Sequence, residues 1–463
     1  MRTSIGSVIT IEDPSEEVSK WIKDNLILAN PEYTKKARMG FWLGNTPDKI
    51  RLYTTKGNAV VLPFGVIRTI LPMLQGGEIV TEFKPKRMID YHEASVPLYD
   101  YQADAVKAAL NMVYGILQSK AGSGKTQMGI AMAVILKLKT LWITHTKDLL
   151  TQSKTRAAQY INPGLLGTIT EGKVDIGECM TFATVQTLSK TDLDALKDEW
   201  DCIIVDECHR VAGSPTAVTQ FSKVLNALRA RHKYGLSATV HRADGLIRAT
   251  YSLLGNVVYT VPDEAVADRT MTVSVQPVHT GIPITQQCLN TDGTLNYTRM
   301  ITYLTQVPER CEQIVEDLIE NRTHYNLILS ERVDHLQQMF RMLPDELRDA
   351  ASVIDGKMTS KAQKEAREKA IEDMRTGAKH YLFATYQLAK EGLDVPRMDR
   401  LYLATPQKDY AVITQSIGRI ARTFEGKQDP VAYDYIDFSA FHVKSYKRRC
   451  TSYRKAGCRI LEG

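Results

Sequence analysis

The chain has 463 residues, and its 43% hydrophobic content is enough for two or three domains with real cores. The sequence predicts no membrane span, because no run reaches roughly 18 uncharged apolar residues, and no secretory signal, because its first residues lack an apolar segment. Seven scattered cysteines without a CxxC pair argue against a disulfide framework or zinc knuckle, so we expect a protein of the reducing cytoplasm. The net charge of +6 permits a nucleic-acid partner.

Residues 1–92 are predicted to form a small accessory α+β domain. Segments 51–55 and 59–63 have β character and flank a Lys-Gly-Asn turn. Further upstream, three basic residues between positions 35 and 38 precede Phe41 and Trp42. Two roles stay open for this domain: DNA binding, or packing without any ligand contact.

Short β-rich runs alternate with helical patterns in two later parts of the chain, 93–258 and 259–440. In the first part we predict strands at 115–119, 140–144, 180–184, 201–206 and 233–237, with helices at 125–137, 147–159, 185–196 and 216–230. In the second we predict strands at 325–330, 351–354, 380–384, 400–404 and 431–437, with helices at 310–321, 333–341, 361–374 and 410–421. Apolar strands separated by helices indicate parallel sheets covered on both faces. The fold class is therefore α/β, with two tandem parallel-sheet domains that we expect to share a ligand in the cleft where they meet.

Two segments outside this alternation of strands and helices carry a turn signal or an excess of charge. Asp292-Gly293 is a strong turn signal and predicts a hairpin over 283–297, either a wedge between nucleic-acid strands or an ordinary surface hairpin. Residues 441–463 are predicted to be a basic tail, because seven Lys/Arg and no acid lie between Lys444 and Arg459. With Tyr446 and Tyr453 among them, this tail is either solvated or a phosphate-tracking strip with stacking rings.

A phosphate-binding loop is predicted where strand 115–119 meets helix 125–137. Its sequence is Ser119-Lys120-Ala121-Gly122-Ser123-Gly124-Lys125-Thr126. The strand–loop–helix context is the one that validates a P-loop, in which glycines let backbone N–H groups and the helix N-terminus approach phosphates closely. We expect Lys125 to reach the β- and γ-phosphates of ATP and the Thr126 hydroxyl to ligate Mg²⁺.

The apolar strand predicted at 201–206 ends in two adjacent acids, Asp206 and Glu207. A carboxylate at the strand's end can hold the same Mg²⁺, directly or through water, which is the role expected of Asp206. Glu207 is then suited to orient and deprotonate the attacking water.

A third group of candidate catalytic residues lies some two hundred residues further along, at Gln415, Arg419 and Arg422. The two arginines are three positions apart in a predicted helix, which places them on one face. Such a face could supply arginine fingers, which accelerate phosphoryl transfer by roughly 10³ to 10⁵.

The ordered set of motifs resembles that of superfamily 2 helicases of the DEAD/DEAH type, with an acidic motif that reads Asp-Glu-Cys-His at 206–209. The resemblance covers residues 95–440, implies two RecA-like domains, and is nearest to phage branch-migration and repair DNA helicases. It implies that the adenine-reading segment and a later motif contact the nucleotide through Tyr99, Gln102, Gly392 and Asp394. It also implies strand contacts by Thr146, Gln152, Thr184, Gln186 and Arg242, and coupling roles for His209, Ser237 and Thr239.

The leading hypothesis is an ATP- and Mg²⁺-dependent DNA helicase that unwinds forked or branched DNA, with branch migration as its biological task. Its expected partners are single-stranded, forked or branched DNA and other replication or recombination proteins, in the host cytoplasm if the gene belongs to a phage. An RNA helicase is the second hypothesis. The third is an ATP-gated translocase subunit of a larger complex, without unwinding of its own.

Overall fold

The computed structural model describes residues 1–92, 94–120, 122–212, 214–238, 245–262, 264–355, 360–390, 393–407 and 409–462. The chain divides into two compact units. The first comprises Met1–Lys120 and Gly124–Ala265, and the second comprises Ala121–Ser123 and Val266–Gly463. The domain boundaries drawn from the sequence, at residues 92, 258 and 440, stay a prediction.

The N-terminal segment of the first unit is an α+β arrangement. Its strands are β1 (Arg2–Ile5), β2 (Val8–Glu12), β3 (Ile27–Ala29), β4 (Lys49–Arg51), β5 (Thr54–Lys56), β6 (Ala59–Pro63) and β7 (Glu78–Thr81), and its helices are α1 (Glu16–Asn25), α2 (Pro31–Arg38) and α3 (Ile67–Ile70). Within residues 1–92, the sheet order is β5-β6-β2-β1-β7, and β3 pairs only with β4. The two predicted β segments and their turn are confirmed in β5 and β6.

This segment shares a hydrophobic core with the rest of the first unit. Leu62 and Phe64 belong to the same buried cluster as Tyr114 and Ala249. Gly65 makes a close approach to that neighbour, because a side chain there would meet the backbone of Tyr251, Ser252 and Gly255 at 2.5–2.6 Å. The N-terminal sheet is therefore packed onto its neighbour by apolar burial rather than held by a flexible linker.

The remainder of the first unit is a parallel α/β sheet. Its strands are β8 (Tyr114–Gln118), β9 (Thr140–Thr144), β10 (Leu166–Thr170), β11 (Lys173–Asp175), β12 (Met180–Thr184), β13 (Cys202–Val205), β14 (His232–Ser237) and β15 (Val257–Thr260), and its helices are α4 (Asp100–Leu110), α5 (Lys125–Leu136), α6 (Lys147–Ala157), α7 (Val185–Leu188), α8 (Pro215–Ala227) and α9 (Ile247–Leu254). The order of these strands is β11-β10-β12-β9-β13-β14-β8-β15, and apart from β10 with β11 the neighbours pair in parallel.

The second unit repeats the parallel arrangement. Its strands are β16 (Ser274–Pro283), β17 (Asn326–Ser330), β18 (Ala351–Ile354), β19 (Tyr381–Thr385), β20 (Arg400–Leu403), β21 (Val431–Phe438) and β22 (Arg459–Ile460), and its helices are α10 (Tyr297–Leu304), α11 (Pro308–Glu320), α12 (Val333–Met342), α13 (Asp345–Asp349), α14 (Lys361–Thr376), α15 (Tyr386–Lys390), α16 (Tyr410–Ile420) and α17 (Ala440–Lys455). The strand order is β18-β19-β17-β20-β21-β16-β22. The structure thus confirms the predicted fold class and all ten predicted strands of the two α/β units.

Two sequence predictions about local structure were wrong, and a third was too long. The predicted helix 185–196 ends at Leu188. The predicted hairpin over 283–297 is present only next to its turn, where Leu289 and Leu295 form an antiparallel bridge and the Asn290 N–H donates to the Thr294 carbonyl oxygen at 2.8 Å. The C-terminal residues form α17 and β22 rather than a tail, because Tyr446 and Tyr453 of the helix pack against the core of the second unit.

Among the described residues, no helix is both long and apolar enough to cross a membrane.

Candidate active site

The predicted phosphate-binding loop lies between β8 and α5. Gly122 and Gly124 have φ of 87° and 80°, in the left-handed region that favours glycine. A side chain at Gly124 would come within 2.4 Å of the Gln102 amide nitrogen, so glycine is also required by the close approach of α4. The loop therefore has the backbone conformation that aims the first N–H groups of α5 outward, toward an anion.

The predicted adenine-reading residues stand at the start of α4. Tyr99 is the N-cap residue, and its backbone N–H donates to the Gln102 side-chain oxygen at 3.0 Å. The Tyr99 ring is 48% exposed and stacks on Tyr101, whereas Gln102 is buried against the loop. The structure thus brings the Gln102 amide next to the phosphate-binding loop and leaves a flat aromatic face accessible beside it.

The first residues of α5 face the acidic pair. The Lys125 amine is buried and lies 3.7 Å from the Glu207 carboxylate. Thr126 is half-buried in the next position, and Ser123 is buried in the loop itself. The loop is also tied to the sheet, because the Ser119 N–H donates to the Ser237 carbonyl oxygen at 3.0 Å.

Asp206 and Glu207 point their carboxylates at different partners. Asp206 follows β13 directly and accepts hydrogen bonds from the Ser153 hydroxyl at 3.3 Å and from the Glu207 N–H at 2.9 Å. Glu207 has φ of 46°, an uncommon left-handed conformation for a non-glycine residue. This reversal of the chain separates the two carboxylates and aims Glu207 at the lysine of the loop.

His209 connects the acidic pair with the end of β14. Its Nδ1 atom lies 3.2 Å from the Glu207 carboxylate and 3.1 Å from the Ser237 hydroxyl. A chain of close polar contacts therefore runs from Lys125 through Glu207 and His209 to Ser237, the residue with which the predicted coupling motif begins. Thr239, the other residue predicted from that motif, lies outside the described residues.

Burial and neighbouring charges shift the pKa values of the two carboxyl groups in opposite directions. Burial raises the pKa of Asp206 well above its usual range, and the adjacent Glu207 charge raises it further. Burial also acts to raise the pKa of Glu207, but the Lys125 charge and contact with His209 outweigh it, so this pKa lies below its usual range. A divalent cation would favour the ionised form of Asp206, so its buried carboxyl fits a metal ligand.

Thr126 and Asp206 are the residues that would hold Mg²⁺, and such an ion would supply charge neutralisation for phosphate oxygens. Among the described residues, no three His, Cys, Asp or Glu side chains cluster in a way that could hold a metal ion. A single carboxylate with a hydroxyl still fits Mg²⁺, because this ion is commonly held by one or two protein oxygens, water and substrate phosphates.

The candidate strand-contacting residues gather at the ends of β9 and β12. Thr146 caps α6 through a hydrogen bond from the Leu149 N–H at 3.3 Å, and Gln152 is half-buried on that helix. The Thr184 hydroxyl donates to Thr187, and the Gln186 amide donates to the His145 carbonyl oxygen at 2.9 Å. These two predicted motifs are thus physically joined, while Arg242 lies outside the described residues.

In the second unit, the predicted arginine pair is arranged differently from the expectation. Gln415 is buried on α16 and Arg419 lies in its last turn, but the helix ends at Ile420. Arg422 follows in an extended bridge to Thr270, so the prediction of a shared helical face was wrong. Beyond the helix, the Ala421 carbonyl oxygen accepts a hydrogen bond from the Met271 N–H at 2.7 Å.

Arg419 is engaged with the backbone of its own unit. Its Nε donates to the Ala389 carbonyl oxygen at 2.7 Å and its Nη1 to the Leu393 carbonyl oxygen at 3.1 Å. Arg422 forms an ion pair with Asp394, the residue expected near the ribose. Gly392, predicted from the same motif, lies outside the described residues.

Two residues at these sites were missed by the sequence reasoning. Ser153 supports the Asp206 carboxylate, and only its position beside Gln152 could have drawn attention to it. Lys427 donates hydrogen bonds to the carbonyl oxygens of Pro396, Ile420 and Arg422 at 2.7–2.8 Å. Burial lowers the pKa of Lys427 to about 7, with the Arg422 charge contributing to the lowering and Asp399 opposing it.

In this site the first lysine of a helix faces a carboxylate at the end of a strand, beside a loop with left-handed glycines. This is the arrangement of P-loop nucleoside triphosphatases, and the chain belongs to that class. Family models define a narrower group within the class. Residues 95–242 match the family described as type III restriction enzyme, res subunit, and residues 309–424 match the helicase conserved C-terminal domain. The chain is a member of the superfamily 2 helicases, and the predicted family resemblance is confirmed.

Relatives of this chain carry helicase and translocase names. It is 26% identical to the probable helicase D10 of Escherichia phage T5 over 82% of this chain and 78% of that protein. An Acanthamoeba polyphaga mimivirus protein with the provisional name ATP-dependent RNA helicase L396 is 25% identical over 73% of this chain and 63% of its own length. The DNA 3'-5' translocase XPB2 of Sulfurisphaera tokodaii is 32% identical, over 38% of each chain.

Among solved structures, Dbp5 of S. cerevisiae bound to RNA and ADP BeF3 aligns with 86% of this chain and 94% of its own, with 16% identity and a TM-score of 0.55. At that identity the likeness shows the fold alone. This fold is the one expected of a superfamily 2 helicase. Membership of that family implies that the protein uses ATP.

We expect Glu207→Gln to lower the rate of ATP hydrolysis by roughly 10²- to 10⁴-fold while ATP binding is retained, because the amide cannot accept a proton from water. Phosphate release and equilibrium binding of a fluorescent ATP analogue measure the two properties separately. The matched control is Glu178→Gln, which removes an exposed carboxylate from the same unit. Near-normal turnover in the Glu207 variant would remove this residue from the catalytic step.

We expect Lys427→Met to reduce ATP turnover by roughly tenfold to a hundredfold with little loss of ATP binding. The Arg422 carbonyl oxygen would lose the hydrogen bond from the Lys427 amine, and the Arg422 guanidinium, the predicted arginine finger, would be displaced. Lys427→Arg should restore part of the rate, since a guanidinium can still donate to the carbonyl oxygens. Lys379→Met is the control, because the Lys379 amine also donates to a backbone carbonyl oxygen in this unit, that of Ala351. An equal loss in the control would reduce Lys427 to a general stabilising role.

Proposed function

We propose that this protein is an ATP-dependent DNA helicase or translocase that acts on forked or branched DNA, with branch migration as its task. The observation that carries the proposal is the contact chain from Lys125 through Glu207 and His209 to Ser237. These contacts link the phosphate-binding loop to Ser237, the first residue of the predicted coupling motif. A motor needs such a link, because nucleotide state must change the grip on the strand.

In this proposal ATP is held by the loop from Gly122 to Thr126, with its base against Gln102. Glu207 orients the attacking water and accepts its proton, while Lys125 neutralises phosphate charge. The Arg419 and Arg422 side chains belong to the second unit, so we infer that rapid hydrolysis depends on residues of both units. Asp394 is the proposed ribose contact.

The strand-contacting role is assigned to the ends of β9 and β12. Thr146, Gln152, Thr184 and Gln186 offer hydroxyl and amide groups suited to phosphate and sugar oxygens. Such contacts carry no base identity, which supports selectivity for the structure of the nucleic acid rather than its sequence. The relative named a DNA translocase supports DNA as the substrate, and the relative named an RNA helicase is the reason to test RNA alongside it.

A second nucleic-acid surface is proposed on α17. The helix is fixed by its buried face, where Arg449 donates to the Asp434 carboxylate at 2.8 Å and the Tyr453 hydroxyl donates to the same group at 2.7 Å. Because both side chains are buried, Tyr453 cannot stack on a base, and that part of the sequence prediction was wrong. The exposed side chains are Lys444, Lys447, Arg448, Arg454, Lys455 and, beyond the helix, Arg459. We propose that this cationic face binds the phosphate backbone.

The proposed function is tested by the rate of ATP hydrolysis during titration with single-stranded DNA, forked DNA and sequence-matched RNA at one salt concentration. We expect strong stimulation by DNA that is greatest with the fork, followed by strand displacement from the same fork. Preferential stimulation by RNA would replace the substrate assignment and favour the RNA helicase. Stimulation by DNA without strand displacement would favour a translocase subunit of a larger complex.

For α17, we expect the double change Lys447→Gln with Arg448→Gln to flatten the dependence of log affinity for single-stranded DNA on log salt by about 1.4. Each phosphate contact to a single strand contributes about 0.7 to that slope through counterion release. The control is Lys364→Gln with Lys369→Gln on α14, where exposed lysines alternate with glutamates. An unchanged slope in the α17 variant would exclude this face as a phosphate contact.

A further inference from the structure

The segment between β3 and β4 forms a projection at the N-terminal end of the first unit. These two strands pair as Ile27 with Arg51 and Ala29 with Lys49, so the chain between them leaves and returns at one place. It contains α2 and, after it, residues 39–45, which we call the aromatic tip. None of these residues belongs to the proposed ATP site.

The aromatic tip is built around two glycines. Gly40 and Gly44 have φ of 65° and 50°, both in the left-handed region. A side chain at Gly44 would lie 3.0 Å from the six-membered ring of Trp42, so glycine is what allows the indole to lie against the backbone. The Phe41 N–H donates to the Lys36 carbonyl oxygen at 3.0 Å and turns the chain back at the end of α2.

Hydrogen bonds across the base hold the projection in one conformation. Asn30 caps α2 by accepting from the Glu32 N–H, and its side-chain amide donates to the Pro47 carbonyl oxygen at 2.8 Å. The Lys36 amine donates to the Thr46 hydroxyl at 2.9 Å, and the Thr46 N–H donates to the Leu43 carbonyl oxygen at 3.0 Å. The tip is therefore an ordered element whose side chains are presented by a defined backbone.

What the tip presents is apolar and accessible. Trp42 is 90% exposed, Phe41 61% and Met39 55%. The other tryptophans differ, because Trp142 and Trp200 are buried and Trp21 is half-buried. An indole left in water forgoes much of the stabilisation that its burial would give, so a conformation that displays it is typical of a contact surface.

The charged side chains near the aromatic tip indicate which kind of ligand it would bind. Lys35 and Arg38 are exposed on α2, and Lys49 and Arg51 are exposed on β4. Of the nearby acids, Glu32 is paired with Lys36 at 2.8 Å. Flat aromatic rings among exposed cations suit a ligand that combines flat apolar faces with negative charge, which is the chemistry of a nucleotide strand.

We propose that the aromatic tip stacks Trp42 on an unpaired base of a single strand, while the surrounding cations contact its phosphates. A duplex covers its base faces by internal stacking and offers them only at its ends, whereas a single strand offers them at every nucleotide. This inference rests on the proposed function, in which the substrate contains single-stranded branches. It assigns the N-terminal segment a specific contact with the strand, where the sequence had left DNA binding and inert packing open.

The test is the affinity of the full chain for a labelled single-stranded oligonucleotide and for a blunt duplex, measured by fluorescence anisotropy at fixed salt. We expect Trp42→Ala to weaken single-strand binding by roughly 5- to 150-fold, the range seen when a stacking aromatic is truncated. Trp42→Phe should retain most of the affinity because a ring remains. Duplex binding should change less than twofold. Phe438→Ala is the control, since Phe438 is 74% exposed in the second unit.

The outcomes separate this inference from the proposed function. Equal single-strand affinity of Trp42→Ala and the wild type, or an equal loss for the duplex, overturns the stacking contact while the helicase proposal stands. A wild type that binds no nucleic acid and shows no stimulated ATP hydrolysis overturns both. ATP hydrolysis without nucleic acid should be the same in Trp42→Ala and wild type, which verifies that the variant is folded.

Discussion

The packing of a buried carboxyl group and an adjacent half-buried one beside a single lysine is the constraint on which the first unit depends. Asp206 and Glu207 follow a strand that is buried on both faces, and two unpaired carboxylates there would be costly. The left-handed turn at Glu207 resolves the conflict by sending one carboxylate to Ser153 and the other to Lys125 and His209. The same turn gives the two acids different proton affinities, which is what distinct roles in phosphoryl transfer require.

The parallel sheet brings the other candidate residues to the same edge. Strands β8, β9, β12, β13 and β14 run in one direction, so their carboxyl ends lie together, as is usual for ligand sites in open α/β sheets. Ser237 ends β14, whereas the joined pair His145 and Gln186 directly follows β9 and β12. The residues that we propose as nucleotide contacts and as strand contacts therefore lie along one edge of the same sheet.

The second unit positions its arginines by backbone carbonyl groups. Arg419 is held by two carbonyl oxygens, and the segment of Arg422 is held by the half-buried amine of Lys427.

The N-terminal segment is held in place differently. It shares a core with the first parallel sheet, and the buried amine of Lys233 donates to the carbonyl oxygens of Ser7 and Leu225 across that junction. Apolar packing and a polar anchor together keep its aromatic tip on an ordered base.

The sequence by itself determined the parallel α/β architecture, the phosphate-binding loop and the acidic pair, because each depends on contiguous residues and on a local period. It misplaced Arg422, which the turn after Ile420 takes off the helix, and it could not find Lys427, whose partners lie up to thirty-one positions away. The burial of Tyr453 and the exposure of Trp42 were equally out of reach. Which face of an aromatic segment is covered depends on packing against distant strands, and only the tertiary structure decides that.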